Sequence, residues 1–359
     1  MPVFREGKVV RVAEEQADLL AVRVALHSGE IDAVGFAHML GPIGPGDRVV
    51  VNTTGIELGL GTGGVGFILW NLDAGPPTPE EGPGHIVKLR YTPWQMGVLA
   101  VEEAASEHHH ALVDAESVGG MPVVACGLHS QVAGVVAGIK AAGADLSVGY
   151  VMTDGAALPL RWSRLVRGLV EARLVDVTAT SGHAFGGDLE TVNVFSALVA
   201  LHEVARVDVA VVAMGPGIVG TGTRLGFTGM EQGQVLDAAA AVGGRPVACV
   251  RLSFADERPR HEGISHHSLT ALRIAARERA TVVMPKLDPA RRDVTLRQLD
   301  DAGVCSRHEV VFADGRPGIE LLRARGLRPT SMGRSIDDAP EPFLAAAAAG
   351  RVAAELVPG

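Results

Sequence analysis

Aromatic residues are scarce in this sequence, and basic charge is in deficit. Nine Phe, three Trp and two Tyr make up 4% of the 359 residues. This scarcity argues against base-stacking nucleic-acid platforms and aromatic sugar-binding clefts, which need several exposed rings. A formal net charge of −9 also disfavours a whole-molecule field that attracts DNA, RNA or anionic lipid. We therefore expect neither a nucleic acid nor a membrane as a partner.

Cysteines and long apolar runs are also lacking. Cys126, Cys249 and Cys305 are far apart and form no CxxC pair, so neither a disulfide framework nor a Cys-rich zinc site is expected. The first residues show no basic segment followed by an apolar one, and no apolar run approaches about 18 residues. These absences predict a cytoplasmic protein.

Glycine and apolar residues are abundant, at 45 glycines and 47% apolar residues, and a chain of this length suggests two domains. In residues 1–72, short β-branched runs alternate with Gly/Pro punctuation, which is typical of a small antiparallel β-barrel domain. Residues 73–120 are interpreted as a proline-rich linker and bridging segment.

Residues 121–359 show a different periodicity, in which apolar strand-like runs alternate with helical stretches. The pattern predicts an α/β domain with a doubly wound, mostly parallel Rossmann-like sheet covered on both faces. The predicted strands are 123–126, 146–152, 175–179, 207–214, 247–252, 281–284 and 310–313. The predicted helices are 132–142, 160–172, 191–205, 230–242, 268–279, 295–302 and 319–325.

The loops after these strands are the expected site, because ligands of open parallel sheets bind beyond the carboxyl ends of the strands. Residues 215–226 form the candidate anion-binding loop, whose backbone N–H groups and following helix could hold a phosphate. The alternative is an irregular loop whose glycines supply positive φ angles. The candidate contacts in it are Gly215, Gly217, Gly220, Thr221, Gly222 and Thr223.

His129 and Ser130 lie in the turn between the first predicted strand of this domain and the helix that follows. Ser130 could be a nucleophile with His129 as its base, but adjacent side chains seldom point at each other. The favoured interpretation is that Ser130 caps the next helix, while His129 faces the ligand crevice or bonds a backbone carbonyl.

Acidic and imidazole groups concentrate in His183, Asp188 and Glu190. With Asp154, His261, His266 and His267 they could hold a divalent metal or perform acid–base chemistry, although their spacing identifies no particular metal or cofactor. The structural alternatives are helix capping by Asp188 and an Asx-turn at Asp154. The catalytic candidates are thus His129, His183, Asp154 and Asp188, and further ligand-binding candidates are Ser130, Ser181, Glu190 and His266.

The succession GLGTGG, GLHSQ, SGHAFGGD, GPGIVGTGT and RHEGISHHS resembles a bacterial family known only as a domain of unknown function. The resemblance spans nearly the whole chain. It implies a barrel and then a Rossmann-like domain, and it carries no established activity, substrate or catalytic residue.

Two classes of function fit these features. One is an enzyme that acts on a small anionic metabolite, phosphorylated ones included, at the carboxyl edge of the parallel sheet. The other is a non-catalytic metabolite-binding or assembly protein whose barrel contacts a partner, a second copy of the chain included. Placement of His129, Asp154, His183 and the backbone of 217–223 around one cleft would strengthen the enzyme hypothesis, whereas histidines dispersed over opposite faces would exclude it.

Overall fold

The computed structural model describes residues 1–16, 19–60, 64–74 and 82–359. Contacts divide the chain into two compact units, Met1–Gly82 and Pro83–Gly359. Residues 61–63 of the first Gly-rich loop and residues 75–81 of the proline-rich linker lie outside the described residues. The predictions made for those two stretches therefore stay predictions.

The first unit is a closed barrel with the strand order β1-β2-β3-β5-β4. Neighbouring strands are antiparallel except for the parallel pair β3 and β5, and the order is that of the Greek-key barrels called OB-folds. The elements are β1 (Phe4–Gln16), β2 (Leu19–Leu26), β3 (Gly29–Phe36), α1 (Ala37–Leu40), β4 (Arg48–Asn52), α2 (Thr54–Glu57) and β5 (Val65–Asn71).

Alternating apolar side chains build the interior of this barrel. Val24 of β2 and Val49 of β4 are fully buried, while the residues beside them are partly exposed. Two register shifts between Val9 and Glu14 bend β1, which pairs first with β4 and then with β2 and so closes the barrel. The predicted N-terminal barrel is confirmed.

The second unit contains a small hairpin and a large sheet. The strands are β6 (Ile86–Lys88), β7 (Met96–Val98), β8 (Pro122–Cys126), β9 (Val148–Thr153), β10 (Val177–Thr180), β11 (Leu189–Glu190), β12 (Val209–Met214), β13 (Arg245–Cys249), β14 (Leu252–Ser253), β15 (Gly263–Ile264), β16 (Thr281–Pro285) and β17 (Glu309–Ala313). The helices are α3 (His109–Leu112), α4 (Gln131–Ala142), α5 (Arg164–Glu171), α6 (Val194–Glu203), α7 (Glu231–Ala241), α8 (His266–Thr270), α9 (Pro289–Asp301), α10 (Arg316–Ala324) and α11 (Glu341–Glu355).

The large sheet has eight parallel strands in the order β11-β10-β9-β12-β8-β13-β16-β17. Every residue of β8, β9 and β12 is buried, because apolar cores on both faces cover the sheet. The predicted Rossmann-like sheet is confirmed, with strand ends that differ by up to three residues. The short edge strand β11 is an addition.

The helices differ more from the prediction. The stretch expected to be one helix over 160–172 divides into a 3₁₀ turn, Leu160–Trp162, and α5. The helix expected over 268–279 is wrong in its second half, because α8 passes into a π-helical turn, Ala271–Ala275, that ends the helix. The helix α11 was not predicted, since its alanine run shows no apolar periodicity.

No helix among the described residues combines the length and the apolarity needed to cross a lipid bilayer. All three cysteines are free thiols. Cys126 and Cys249 are buried opposite each other on β8 and β13, and Cys305 is exposed.

The helices α4 and α11 touch through their backbones. A Cβ atom at Gly138 would collide with the carbonyl oxygen of Ala347, and one at Gly350 with the carbonyl oxygen of Val135. No larger residue fits at either position without separating the helices. Because only a short loop separates β8 from α4, this contact also fixes the position of that loop.

We expect Gly138→Ala to lower the free energy of unfolding by about 1–3 kcal/mol, because the added methyl group forces α4 away from α11. Urea unfolding followed by circular dichroism measures the loss. The matched control is Gly168→Ala in α5, where a Cβ would meet only the Leu327 side chain at 3.4 Å. The free energy of unfolding of Gly168→Ala should stay within about 1 kcal/mol of the wild-type value or exceed it. Equal losses in the two variants would contradict a close backbone contact as the cause.

Candidate functional site

The exit loops of β8 and β12 leave the sheet in opposite directions. The chain passes from β8 through α4 to β9, two places to one side, and from β12 through α7 to β13, two places to the other side. The helices α4 and α7 pack into separate apolar cores on the two faces. A ligand crevice opens at such a switch point in open α/β sheets. The strand order therefore places the crevice between the ends of β8 and β12.

His129 lies in the loop after β8 and joins that loop to the end of β12. Its Nδ1 lies 3.1 Å from the carbonyl oxygen of Met214, the last residue of β12. Its Nε2 lies 2.6 Å from Oγ of Ser163. Because a carbonyl oxygen can only accept, Nδ1 carries the proton and Nε2 accepts a hydrogen bond from the Ser163 hydroxyl.

Burial lowers the pKa of His129 to about 4, and the hydrogen bond to the Met214 carbonyl opposes this shift. The imidazole is therefore neutral at physiological pH. Tyr150 of β9 supports the ring from a third strand, since its hydroxyl donates to the Ala213 carbonyl at 3.2 Å and lies 3.3 Å from Nδ1. Burial raises the pKa of Tyr150, which stays protonated.

Two buried glutamines hold the strand ends beside this loop. The side chain of Gln131 accepts from the Leu128 amide at 3.0 Å and donates to the Val250 carbonyl at 3.0 Å. The side chain of Gln232 donates to the Cys249 carbonyl at 2.7 Å. These bonds satisfy backbone groups at and just beyond the last paired residues of the strands. The Gln131 side chain thus ties the loop that carries His129 to the end of β13.

A cavity of about 470 Å³ opens at His129. Four parts of the second unit line it: the loop after β8, the start of α5, the start of the loop after β12, and the segment after α10. The lining residues are Leu128, His129, Ser130, Arg164, Leu165, Gly168, Pro216, Gly217, Ile218, Leu327, Arg328, Pro329, Thr330 and Met332.

Ser130 lines this cavity but does not bond His129. It directly precedes α4, yet its side chain makes no capping hydrogen bond, and its Oγ lies 3.1 Å from Oγ of Ser331. The predicted capping by the Ser130 side chain is therefore wrong.

Ser163 is the hydroxyl that the sequence pattern missed. It caps α5, because its Oγ accepts from the Val166 amide at 3.1 Å. A helix expected to run from 160 to 172 hid this cap inside it. The signal that could have revealed Ser163 is a serine at the fourth position of that stretch, since serine is a preferred N-cap residue.

Asp154 and His183 form a second group, beyond β9 and β10. A carboxylate oxygen of Asp154 accepts from the His183 amide at 2.9 Å, and Nδ1 of His183 accepts from the Leu89 amide at 3.0 Å. Among the described residues that line the cavity, neither Asp154 nor His183 is present. The cavity thus contains His129 and Gly217 without the two other groups expected in the same cleft.

Asp188 and Glu190 bind the backbone and threonines of the same edge. Asp188 accepts from the amide and the hydroxyl of Thr178, both at 2.8 Å, and Glu190 accepts from the Thr180 hydroxyl at 2.7 Å. Helix capping by Asp188 is wrong, because Asn193 caps α6 with a capping box. Both carboxylates are engaged in holding β10 and β11.

Lys88, fully buried, belongs to this second group and was not anticipated. Its Nζ donates to the carbonyls of Ala184 and Thr191 and lies 3.3 Å from a Glu190 oxygen. Burial lowers its pKa and the Glu190 charge opposes the shift. Ser181, also buried, donates its amide to the Met152 carbonyl at 3.1 Å.

The Gly-rich loop at 215–226 has two parts. Its beginning lines the cavity through Gly217, and the rest folds back on itself through a 2.8 Å bond from the Thr221 amide to the Gly226 carbonyl. The hydroxyls of Thr221 and Thr223 bond each other at 2.9 Å inside this turn. Gly217 and Gly222 have φ angles of 113° and 80°, as the structural alternative expected.

His266 lies in a third group, at the start of α8 together with His267 and close to His261. Gly220 of the folded-back loop approaches this group, since a Cβ there would lie 3.6 Å from the His267 ring. Gly215 instead packs against the backbone of Ala157. The candidate residues therefore divide among three groups along the carboxyl edge of the sheet.

Comparison with protein families matches residues 32–350 to the family described as Protein of unknown function (DUF3866). The chain belongs to this family. The match confirms the resemblance to a family of unknown function that the sequence motifs indicated, and the family description names no activity. No curated protein and no solved structure matches the chain.

The lowered pKa of His129 predicts an acid-sensitive contribution to folding. Between pH 6.5 and about 4 the unfolded chain binds a proton at this histidine, whereas the folded protein does not. The free energy of unfolding should therefore fall through this window by about 3 kcal/mol more in the wild type than in His129→Gln. Urea unfolding at several pH values measures the difference.

The control for this measurement is His85→Gln, because the His85 side chain is 86% exposed. This variant should keep the wild-type pH dependence. If His129→Gln keeps it too, the histidine is not held neutral by its surroundings.

Proposed function

We propose that the protein is an enzyme that binds a small anionic metabolite in the cavity at the switch point and exchanges a proton with it through His129. One observation carries the proposal: a neutral histidine, fixed by bonds to Met214 and Ser163, lines a crevice between the ends of β8 and β12. Burial and a defined tautomer at a ligand crevice are features of acid–base histidines.

The size of the cavity supports a small metabolite. Ligand sites commonly measure about 300–1,000 Å³, and this cavity lies in the lower half of that range. Its walls are largely apolar, through side chains such as Leu165, Ile218 and Met332, with a few polar groups among them. This composition allows a compact molecule to be held in one orientation.

The charge of the lining supports an anion. Arg164 and Arg328 both line the cavity, and within the described part of the chain neither has an acidic partner. Guanidinium groups bind carboxylates and phosphates through paired hydrogen bonds. The N-terminus of α4, a twelve-residue helix, opens at Ser130 and adds a partial positive charge.

An anion in this position prepares His129 to accept a proton. A negative charge held by the arginines raises the pKa of the nearby His129 imidazole from its lowered value back toward the ordinary value of a histidine. Nε2 then takes the proton, the Ser163 hydroxyl turns from donating to Nε2 to accepting from its new N–H, and the Met214 carbonyl keeps the N–H at Nδ1. Ser163 is a positioning residue, since its hydroxyl is buried and also caps α5.

A non-catalytic function has one observation in its favour. The barrel strands expose the side chains of Phe4, Val10 and Trp70, at 43%, 45% and 39%. Apolar side chains of this size on a surface are compatible with a partner or a second copy. This alternative predicts that the cavity binds its ligand without changing it.

Replacement of the cavity arginines should weaken anion binding. A thermal-shift screen with inorganic phosphate, small carboxylic acids, sugar phosphates and nucleotides supplies the first ligands. For each ligand that raises the melting temperature, we expect Arg164→Gln and Arg328→Gln to weaken binding about 10–100-fold, because each removes a charge-assisted contact. Arg316→Gln is the control, since Arg316 is exposed and paired with Asp314. The proposal fails if no anion binds, or if neither Arg164→Gln nor Arg328→Gln weakens binding.

Anion binding should also be accompanied by proton uptake at His129. Calorimetry near pH 5.5 in two buffers of different ionisation enthalpy measures the number of protons taken up, which should be positive in the wild type and absent in His129→Gln. Proton and phosphorus NMR of the same ligand then tracks its chemical conversion. Conversion by the wild type but not by His129→Gln supports an enzyme, whereas binding without conversion supports the alternative.

A further inference from the structure

Three histidines meet on the same edge of the sheet, away from the cavity. His261 ends a 3₁₀ turn after β14, and His266 and His267 are the first residues of α8. One ring nitrogen from each lies within 4.8 Å of the other two. None of the three lines the cavity among the described residues, so a role for this cluster is independent of the proposed function.

Two nitrogens of this cluster are buried without any hydrogen-bond partner among the described residues. They are Nε2 of His266 and Nδ1 of His267. Buried polar atoms of this kind are rare, and each one costs free energy unless something satisfies it. A bound cation would satisfy both at once.

We propose that His261, His266 and His267 bind a divalent transition metal of the Zn²⁺ class. Three imidazoles are a donor set suited to Zn²⁺, Co²⁺ and Ni²⁺, and three protein ligands leave at least one position for water or an anion. Zn–N bonds of about 2.0–2.1 Å require the nitrogens to move together by roughly an ångström. Small rotations of the rings supply that movement.

The surroundings already orient the cluster for this task. Nδ1 of His261 lies 2.7 Å from Oγ of Ser265, which leaves Nε2 as the nitrogen to bind a metal, and this bond resembles the outer-shell bonds of metal-binding histidines. Phe227 stacks on the His267 ring with centroids 4.0 Å apart, and its edge meets His266. The loop after β12 thus covers the site.

The arginines around the cluster would oppose a cation, and one carboxylate, that of Asp256, offsets part of their charge. Asp256 pairs with Arg251 at 3.3 Å and with Arg258 at 2.9 Å. Arg260 touches the cluster directly, since its Nε lies 3.4 Å from Nε2 of His261. A metal would displace this weak contact, and the released guanidinium would then favour an anion on the open metal position.

The test is a titration of metal-free, untagged full-length protein with Zn²⁺ and Co²⁺. We expect one equivalent to bind, with visible Co²⁺ bands of a four- or five-coordinate site. His266→Gln and His267→Gln should each weaken binding by more than about 100-fold, since loss of an outer-shell partner alone costs about 10–100-fold. His308→Gln is the matched control, a buried histidine whose nitrogens contact the Leu272 carbonyl and the Ala280 amide. It should bind metal as the wild type does.

A second variant keeps the proposal testable if a histidine variant fails to fold. Arg260→Ala removes the group that competes for His261 Nε2, so it should leave Zn²⁺ affinity unchanged or raise it several-fold. Absence of stoichiometric binding to the wild type would overturn the proposal. So would binding that survives both histidine changes, a six-coordinate Co²⁺ spectrum, or a large loss of affinity in Arg260→Ala.

Discussion

The backbone contact between α4 and α11 is the constraint on which the candidate site depends. Glycines at 138 and 350 let the two helices approach until carbonyl groups of one helix meet Cα atoms of the other. The helix α4 rises directly from β8, so its packing fixes the short loop that carries His129 and Ser130. Two buried glutamines then hold the neighbouring strand ends. Packing far from the ligand crevice thus determines the geometry inside it.

The polar side chains at the carboxyl edge of the parallel sheet form separate groups and do not share one cleft. His129 faces a cavity with two arginines that lack acidic partners within the described chain, Asp154 and His183 bond the backbone beyond β9, and the three clustered histidines lie beyond β13. In the first group the histidine has both nitrogens engaged and one tautomer. In the third, two nitrogens are buried without a partner among the described residues. The same residue type therefore supports an acid–base proposal in one place and a metal-binding proposal in another.

Local patterns predicted much of the fold because they reflect burial along the chain. Uninterrupted apolar runs marked the buried parallel strands, and Gly/Pro punctuation marked the barrel. The helix α11 was not predicted. Ten of its residues are buried, but alanines on every side of the helix give no apolar periodicity. The N-cap role of Ser163 was not predicted, because a 3₁₀ turn and a helix follow each other there without a break in the apolar pattern. Asp188 was misassigned because α6 begins later, at the cap provided by Asn193.

The sequence by itself determined the barrel, the parallel sheet, the edge where polar loops gather and the candidate histidines, because each depends on local composition and periodicity. Only the tertiary structure decided which of these side chains meet. His129 bonds a residue 85 positions away and another 34 positions away, and both contacts depend on β12 lying between β8 and β9. Strand order arises from the packing of all the helices together. No single segment determines the strand order, so the partners of His129 could not be assigned before the fold was known.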